Sequence, residues 1–122
     1  MKRMGGVNTF EDIKAWQYAH EYALKVYSIT LLFPRKEDFC LSYQLRKSAL
    51  SVPSNIVEGF ARKSKKSSQL FYQIALGSLE ESKYQLLFAK DLKYISEQKY
   101  TEIIELANKA RGYLIAWSNS CT

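Results

Sequence analysis

From Phe10 to Phe33 the chain runs 24 residues without a glycine or a proline, and its apolar side chains return every three or four positions. A strand would alternate with a period of two, so this spacing commits the segment to a helix. Three later stretches repeat the pattern. With only five glycines and two prolines in 122 residues, the chain has few places to turn, which favours a few long elements over many short strands.

The ends of these stretches carry their own signals. Thr9-Phe-Glu-Asp12 is a T-x-x-D start, with two acids suited to the positive end of a helix dipole. In the helix that follows, Ile13, Trp16, His20, Leu24, Tyr27 and Leu31 fall in one stripe, expected to face the core, and Pro34 ends the run. Asp38 can cap a second helix running toward Lys63. Ser67 or Ser68 can cap a third, with Phe71, Ile74, Ala75, Ser78, Leu79, Ser82, Leu86 and Ala89 at helical spacing. Ser96 opens a fourth, whose apolar side holds Tyr100, Ile103, Ile104, Ala107, Ala110, Leu114 and Trp117. The expected helices span about 10–33, 38–63, 68–92 and 96–118, within one domain over 1–122. Connections of about three to five residues force neighbouring helices antiparallel, giving an all-α, up-down-up-down four-helix bundle. Pro53 stands inside the second helix, where it predicts either a kink near Leu50–Pro53 or a break with Ser51 recapping a new helix.

Composition narrows the function classes. No apolar run approaches the ~18 residues of a membrane span, and Met-Lys-Arg-Met-Gly-Gly lacks the apolar middle of a signal peptide, so a soluble cytoplasmic protein without membrane contact is expected. Cys40 and Cys121 have no metal-ligand spacing. They fall at opposite ends of the expected bundle, too far apart for a disulfide. The one histidine, His20, follows Gln17 rather than a glutamate at the i+3 spacing that a di-iron carboxylate bundle uses. His20 is expected to be a hydrogen-bonded core residue, and no metal or cofactor is anticipated. Without a nucleophile beside a base or a Gly-rich phosphate loop, the sequence reads as non-enzymatic.

The net charge is +6, and residues 34–66 hold eight Lys or Arg against three acids, so nearly all the excess lies in one third of the chain. Arg62 and Lys63 end the second helix, where cations complement the dipole. Lys65 and Lys66 immediately precede the third and place positive charge at its positive end, a broken local rule that points to a phosphate ligand. With Lys2 and Arg3 expected at the same end of the bundle, these six residues are the candidate nucleic-acid-binding set. No aromatic residue lies within Arg62–Gln69 to stack on bases, so recognition of phosphate and shape is expected rather than of sequence.

Two further constellations are structural. Asn55, Glu58 and Gly59 face Gly77, Ser78 and Glu81 across the expected second and third helices, forming a polar seam in which the two glycines admit close backbones. On the first helix, Tyr18, Tyr22, Val26, Ile29 and Phe33 form a second apolar face opposite the stripe assigned to the core, more than one bundle helix needs. This face is the candidate oligomer interface.

The order of these signals resembles the 23S ribosomal RNA intervening-sequence protein family, also called the four helix bundle protein family. The resemblance rests on Ala15-Trp-Gln-Tyr-Ala-His20, Phe33-Pro34, Gln44-Leu-Arg46, Ser51-Val-Pro-Ser-Asn-Ile-Val-Glu-Gly59, Ala75-Leu-Gly-Ser-Leu-Glu-Glu81 and Asp91-Leu92. It implies a four-helix protomer assembling into a homo-oligomeric ring, a pentamer, with no settled biochemical activity. The related accessory protein of diversity-generating retroelements, which binds nucleic acid and a reverse transcriptase, adds an RNA-related expectation by analogy. The leading expectation is an oligomeric RNA- or DNA-binding protein with a basic rim. The alternative is an oligomeric scaffold docking an acidic protein.

Overall fold

The computed structural model describes residues 6–120. Among them are four α-helices and no strand: α1 (Lys14–Thr30), α2 (Leu41–Ala61), α3 (Lys65–Asp91) and α4 (Glu97–Ser120). Short 3-10 turns occupy Phe10–Asp12 and Arg35–Glu37. α1 packs on α2 and α4, and α3 packs on the same two, so α1 and α3 lie across the diagonal. Each expected helix is present, and the shifted ends have local causes.

The signal at Thr9 nucleates a 3-10 turn, not α1 itself. The Asp12 carboxylate accepts the Asn8 and Thr9 N–H groups at 2.9 and 3.1 Å, and these bonds hold it below the usual carboxylate range. Ile13 then turns extended, with its side chain in the core, and α1 begins at Lys14. Asp38 does not cap α2. The 3-10 turn precedes it, and Glu37 Oε1 accepts the Leu41 N–H at 3.3 Å, so the α1–α2 connection is longer than expected. Ser64, not Ser67 or Ser68, caps α3: its hydroxyl accepts the Ser67 N–H at 3.1 Å and draws Lys65 and Lys66 into the first turn. Ser96 caps α4 as expected, accepting the Lys99 N–H at 3.1 Å. α2 continues unbroken past the buried Pro53, so Ser51 recaps nothing.

The largest correction concerns which side of α1 faces inward. Of the stripe assigned to the core, Ile13 is buried, but Leu24, Tyr27 and Leu31 are 57%, 54% and 67% exposed. His20 is exposed too, its imidazole stacked on Trp16 at 4.8 Å. The core face is the opposite one, with Ala15, Ala19, Tyr22, Val26, Ile29 and Phe33 all buried. Tyr22, Val26, Ile29 and Phe33 therefore cannot serve as an oligomer interface, and Tyr18 is half-buried against Tyr113 at 5.0 Å.

The physical reason is fit. Ala15 and Ala19 let α1 approach its neighbours closely, and the Tyr22 hydroxyl meets Ser82 Oγ at 2.7 Å inside the bundle. Because Ser82 Oγ itself donates to the Leu79 carbonyl, the phenol is the donor in that pair. On α3, Ala75, Leu79, Ser82, Leu86 and Ala89 are buried as expected, whereas Ile74 points outward. On α4, Ile103, Ala107, Ala110 and Leu114 fill the remaining core.

Candidate functional site

α2 ends where Arg62 turns extended and its N–H reaches the Gly59 carbonyl at 3.2 Å. Three residues later α3 has begun. This short turn gathers Arg62, Lys63, Lys65 and Lys66; Lys2, Arg3 and Cys121 lie outside the described residues. Arg62 is partly satisfied within the chain. Its Nη2 is 3.3 Å from Glu58 Oε2, and its guanidinium lies 4.4 Å from the Phe71 ring centroid, an aromatic contact the sequence window missed by two positions. Lys63, Lys65 and Lys66 are exposed, and none forms an ion pair among the described residues.

Electrostatically the turn is one-sided. The first turn of α3 contains no acid, and the opening N–H groups of a helix have no partner inside it. Lys66 is the best placed of the three. It borders a recess of about 630 Å³ with Ser67, Gln69, Leu70 and Gln73 of α3 and Ser118 and Asn119 of α4. Gln69 Nε2 donates to the Ser118 carbonyl at 3.1 Å and closes one side. Chemically the recess offers hydroxyl and amide groups beside one cation, a set suited to phosphate and sugar oxygens.

The polar seam between α2 and α3 exists, with a partly different membership. Asn55 Nδ2 donates to the Ser51 carbonyl and hydroxyl at 2.8 and 2.9 Å, and Ser51 Oγ meets Ser78 Oγ at 2.8 Å. Ser48 Oγ donates to Gln85 Oε1 at 2.6 Å. Ser48, Ser51 and Gln85 were missed, although the spacing of polar residues at 48, 51 and 55 on α2 was a readable signal.

Glu58 does not belong to the seam, whereas Glu81 stands at its rim, lining a recess of about 200 Å³ with Ser48, Ser51 and Ser78. Both are exposed; Glu58 is engaged by Arg62, and Glu81 has no ion-pair or hydrogen-bond partner among the described residues. The two glycines also part company. A Cβ on Gly59 would meet the Tyr72 ring, 2.8 Å from Cδ1, and the Ser68 carbonyl at 3.0 Å. Around a Cβ on Gly77 there is nothing within 4 Å among the described residues. Gly59 thus permits the close helix approach expected of it, and Gly77 does not. No group of His, Cys, Asp and Glu that could hold a metal stands together among the described residues, and no described helix is long and apolar enough to cross a membrane.

Comparison with known proteins follows the fold. The family model described as 23S rRNA-intervening sequence protein matches residues 11–116. Four solved chains match. One is the crystal structure of a protein of unknown function from the S23 ribosomal protein family of Bacteroides thetaiotaomicron, with a TM-score of 0.80 and 21% identity over 87% of this chain and 99% of that one. At that identity the likeness concerns the fold. No curated protein matches the sequence.

Proposed function

From a chain that belongs to the 23S rRNA-intervening sequence protein family, we propose a non-enzymatic, RNA-associated cytoplasmic protein that holds phosphate backbones at the α2–α3 turn and acts as a homo-oligomer. The observation that carries this reading is the placement of Lys63, Lys65 and Lys66. Three exposed cations stand at and within the opening of α3, with no carboxylate paired to any of them among the described residues. The family's name sets the RNA expectation, and the neighbouring recess supplies hydroxyl and amide groups to support it.

An up-down-up-down course is part of the proposal. It is supported by the pairs Ser48 with Gln85, Ser51 with Ser78 and Gly59 with Tyr72, whose numbers rise along α2 as they fall along α3. A cyclic ring, five-fold by the family resemblance, would point every copy's turn the same way. Several weak basic turns would then act together as one rim.

The test is a salt titration of binding to mixed-sequence RNA. Each engaged phosphate adds a slope of roughly 0.7–0.9 in log K against log salt. Neutralising Lys63, Lys65 and Lys66 together to Gln is expected to flatten the slope and weaken binding without changing the assembly. Equal binding by parent and triple variant at every salt concentration overturns the reading and leaves the scaffold for an acidic protein in its place.

A further inference from the structure

Two of the apolar surfaces left uncovered among the described residues bear on assembly. The first is a single ridge along α3, where Leu70, Ile74, Gly77, Glu81, Tyr84 and Phe88 succeed one another by four and three residues and all are exposed. This spacing places them in one line on a helix, away from the buried stripe of Tyr72, Ala75, Leu79 and Leu86. The second is the α1–α2 face, where Leu24, Tyr27 and Leu31 of α1 stand exposed with Tyr43 and Leu50 of α2. Arg46 ties its two halves together, its guanidinium 4.4 Å from the Tyr27 ring centroid and its Nε donating to Thr30 Oγ1 at 2.6 Å.

Their charges are complementary. The α2 residues 41–57 include Arg46 and Lys47 and no acid, and Arg46 meets no carboxylate among the described residues. The α3 ridge holds one charged residue, Glu81, which shares a recess with Lys47 of α2 but forms no ion pair or hydrogen bond among the described residues. Gly77 adds an independent sign. A glycine inside a helix lowers its stability, and no group among the described residues comes within 4 Å of where a Cβ on this one would stand. It leaves a notch in the ridge one turn before Glu81, which makes sense where a partner's side chain enters from outside.

We infer that the α3 ridge of one copy seats on the α1–α2 face of the next, with the notch at Gly77 filled by the neighbour and Glu81 directed toward the neighbour's Arg46. This rests on the self-associating reading above and specifies how the copies mate. Each surface supplies what the other lacks. Because the two surfaces differ, the contact is head-to-tail, the kind that generates rings when the rotation closes.

Light scattering at micromolar concentration, with circular dichroism to verify helix content, tests the arrangement. The parent is expected at a multiple of 14.1 kDa. Leu24→Glu spoils one surface and Ile74→Glu the other, so each variant alone is expected as a 14.1 kDa species. An equimolar mixture retains one intact surface of each kind and is expected to form a capped pair at twice that mass. Gly77→Gln fills the notch at a solvent-facing position and is expected to dissociate the assembly with helix content kept.

A parent found only at 14.1 kDa removes self-association, and this inference with it. An oligomeric parent whose mass survives Ile74→Glu or Leu24→Glu keeps self-association and overturns the mating assigned here. So does a mixture in which both variants stay monomeric.

Discussion

Tyr22 and Tyr27 stand five residues apart on α1. One is sealed in the core with its hydroxyl on Ser82; the other is more than half exposed beneath the Arg46 guanidinium. Each belongs to a stripe of similar apolar content, Ala15, Ala19, Tyr22, Val26 and Ile29 on the inner side and His20, Leu24, Tyr27 and Leu31 on the outer. Hydrophobicity alone therefore does not decide which face of a helix turns inward. Shape does, because small residues allow the close approach that dispersion and dense packing reward.

The sharpest way to break the comparison is to truncate one residue of each stripe. Tyr22→Ala opens a cavity in a closed core and is expected to cost about 3–5 kcal/mol, the range for large aromatic deletions. Leu24→Ala, read in the dissociated protomer, is expected to stay within about 0.5 kcal/mol, as at other exposed positions. Urea denaturation of both variants checks the pair, and equal losses would mean the two faces are equally engaged within one chain.

The two glycines sharpen the same contrast at a smaller scale. Gly59→Ala presses a methyl against the Tyr72 ring and the Ser68 carbonyl, and is expected to cost about 1–3 kcal/mol as an overpacking change. Gly77→Ala meets nothing among the described residues and is expected to raise stability by up to about 1 kcal/mol through helix propensity. Thermal unfolding in the dissociated state should therefore move in opposite directions for the two.

The smallest effect expected is at Asp12, in the exposed turn before α1. Its carboxyl lies below its ordinary value because the Asn8 and Thr9 N–H groups bond the charged form. The stability this contributes is whole above the unfolded carboxylate value of about 3.9 and is lost as pH falls through the lowered folded value. Asp12→Asn should remove a slight acid-side dependence of the urea midpoint and leave the neutral-pH side parallel to the parent.

The four helices were legible because their period, their length and the scarcity of glycine and proline all agree, and local agreement of that kind survives folding. Their ends were less so. Ser64, Ser67 and Ser68 are chemically equivalent caps, and the extended turn at Arg62 after α2 leaves Ser64 in position to act first. The inner face of α1 was illegible because its deciding contact, Tyr22 with Ser82, joins residues sixty positions apart. Gly59 and Gly77 are the same letter at similar helical sites, and the ring of Tyr72 with the Ser68 carbonyl distinguishes them. The basic turn was read from adjacent letters, and those residues do stand together. Glu58 was misplaced because a glutamate's reach toward solvent leaves no trace in spacing.

Tyr22 also sets an upper limit on the conditions under which the bundle stands. Burial pushes its phenol far above the ordinary value of about 10. An unfolded chain gives up that proton near pH 10, while the folded one holds it. The preference for the protonated form is therefore neutral below pH 10 and turns against the fold as pH climbs toward the raised value. Strong alkali acts on this protein from the inside: the phenolate absorbance of Tyr22 should appear in step with the loss of helix, making one hydroxyl a built-in indicator of when the core opens.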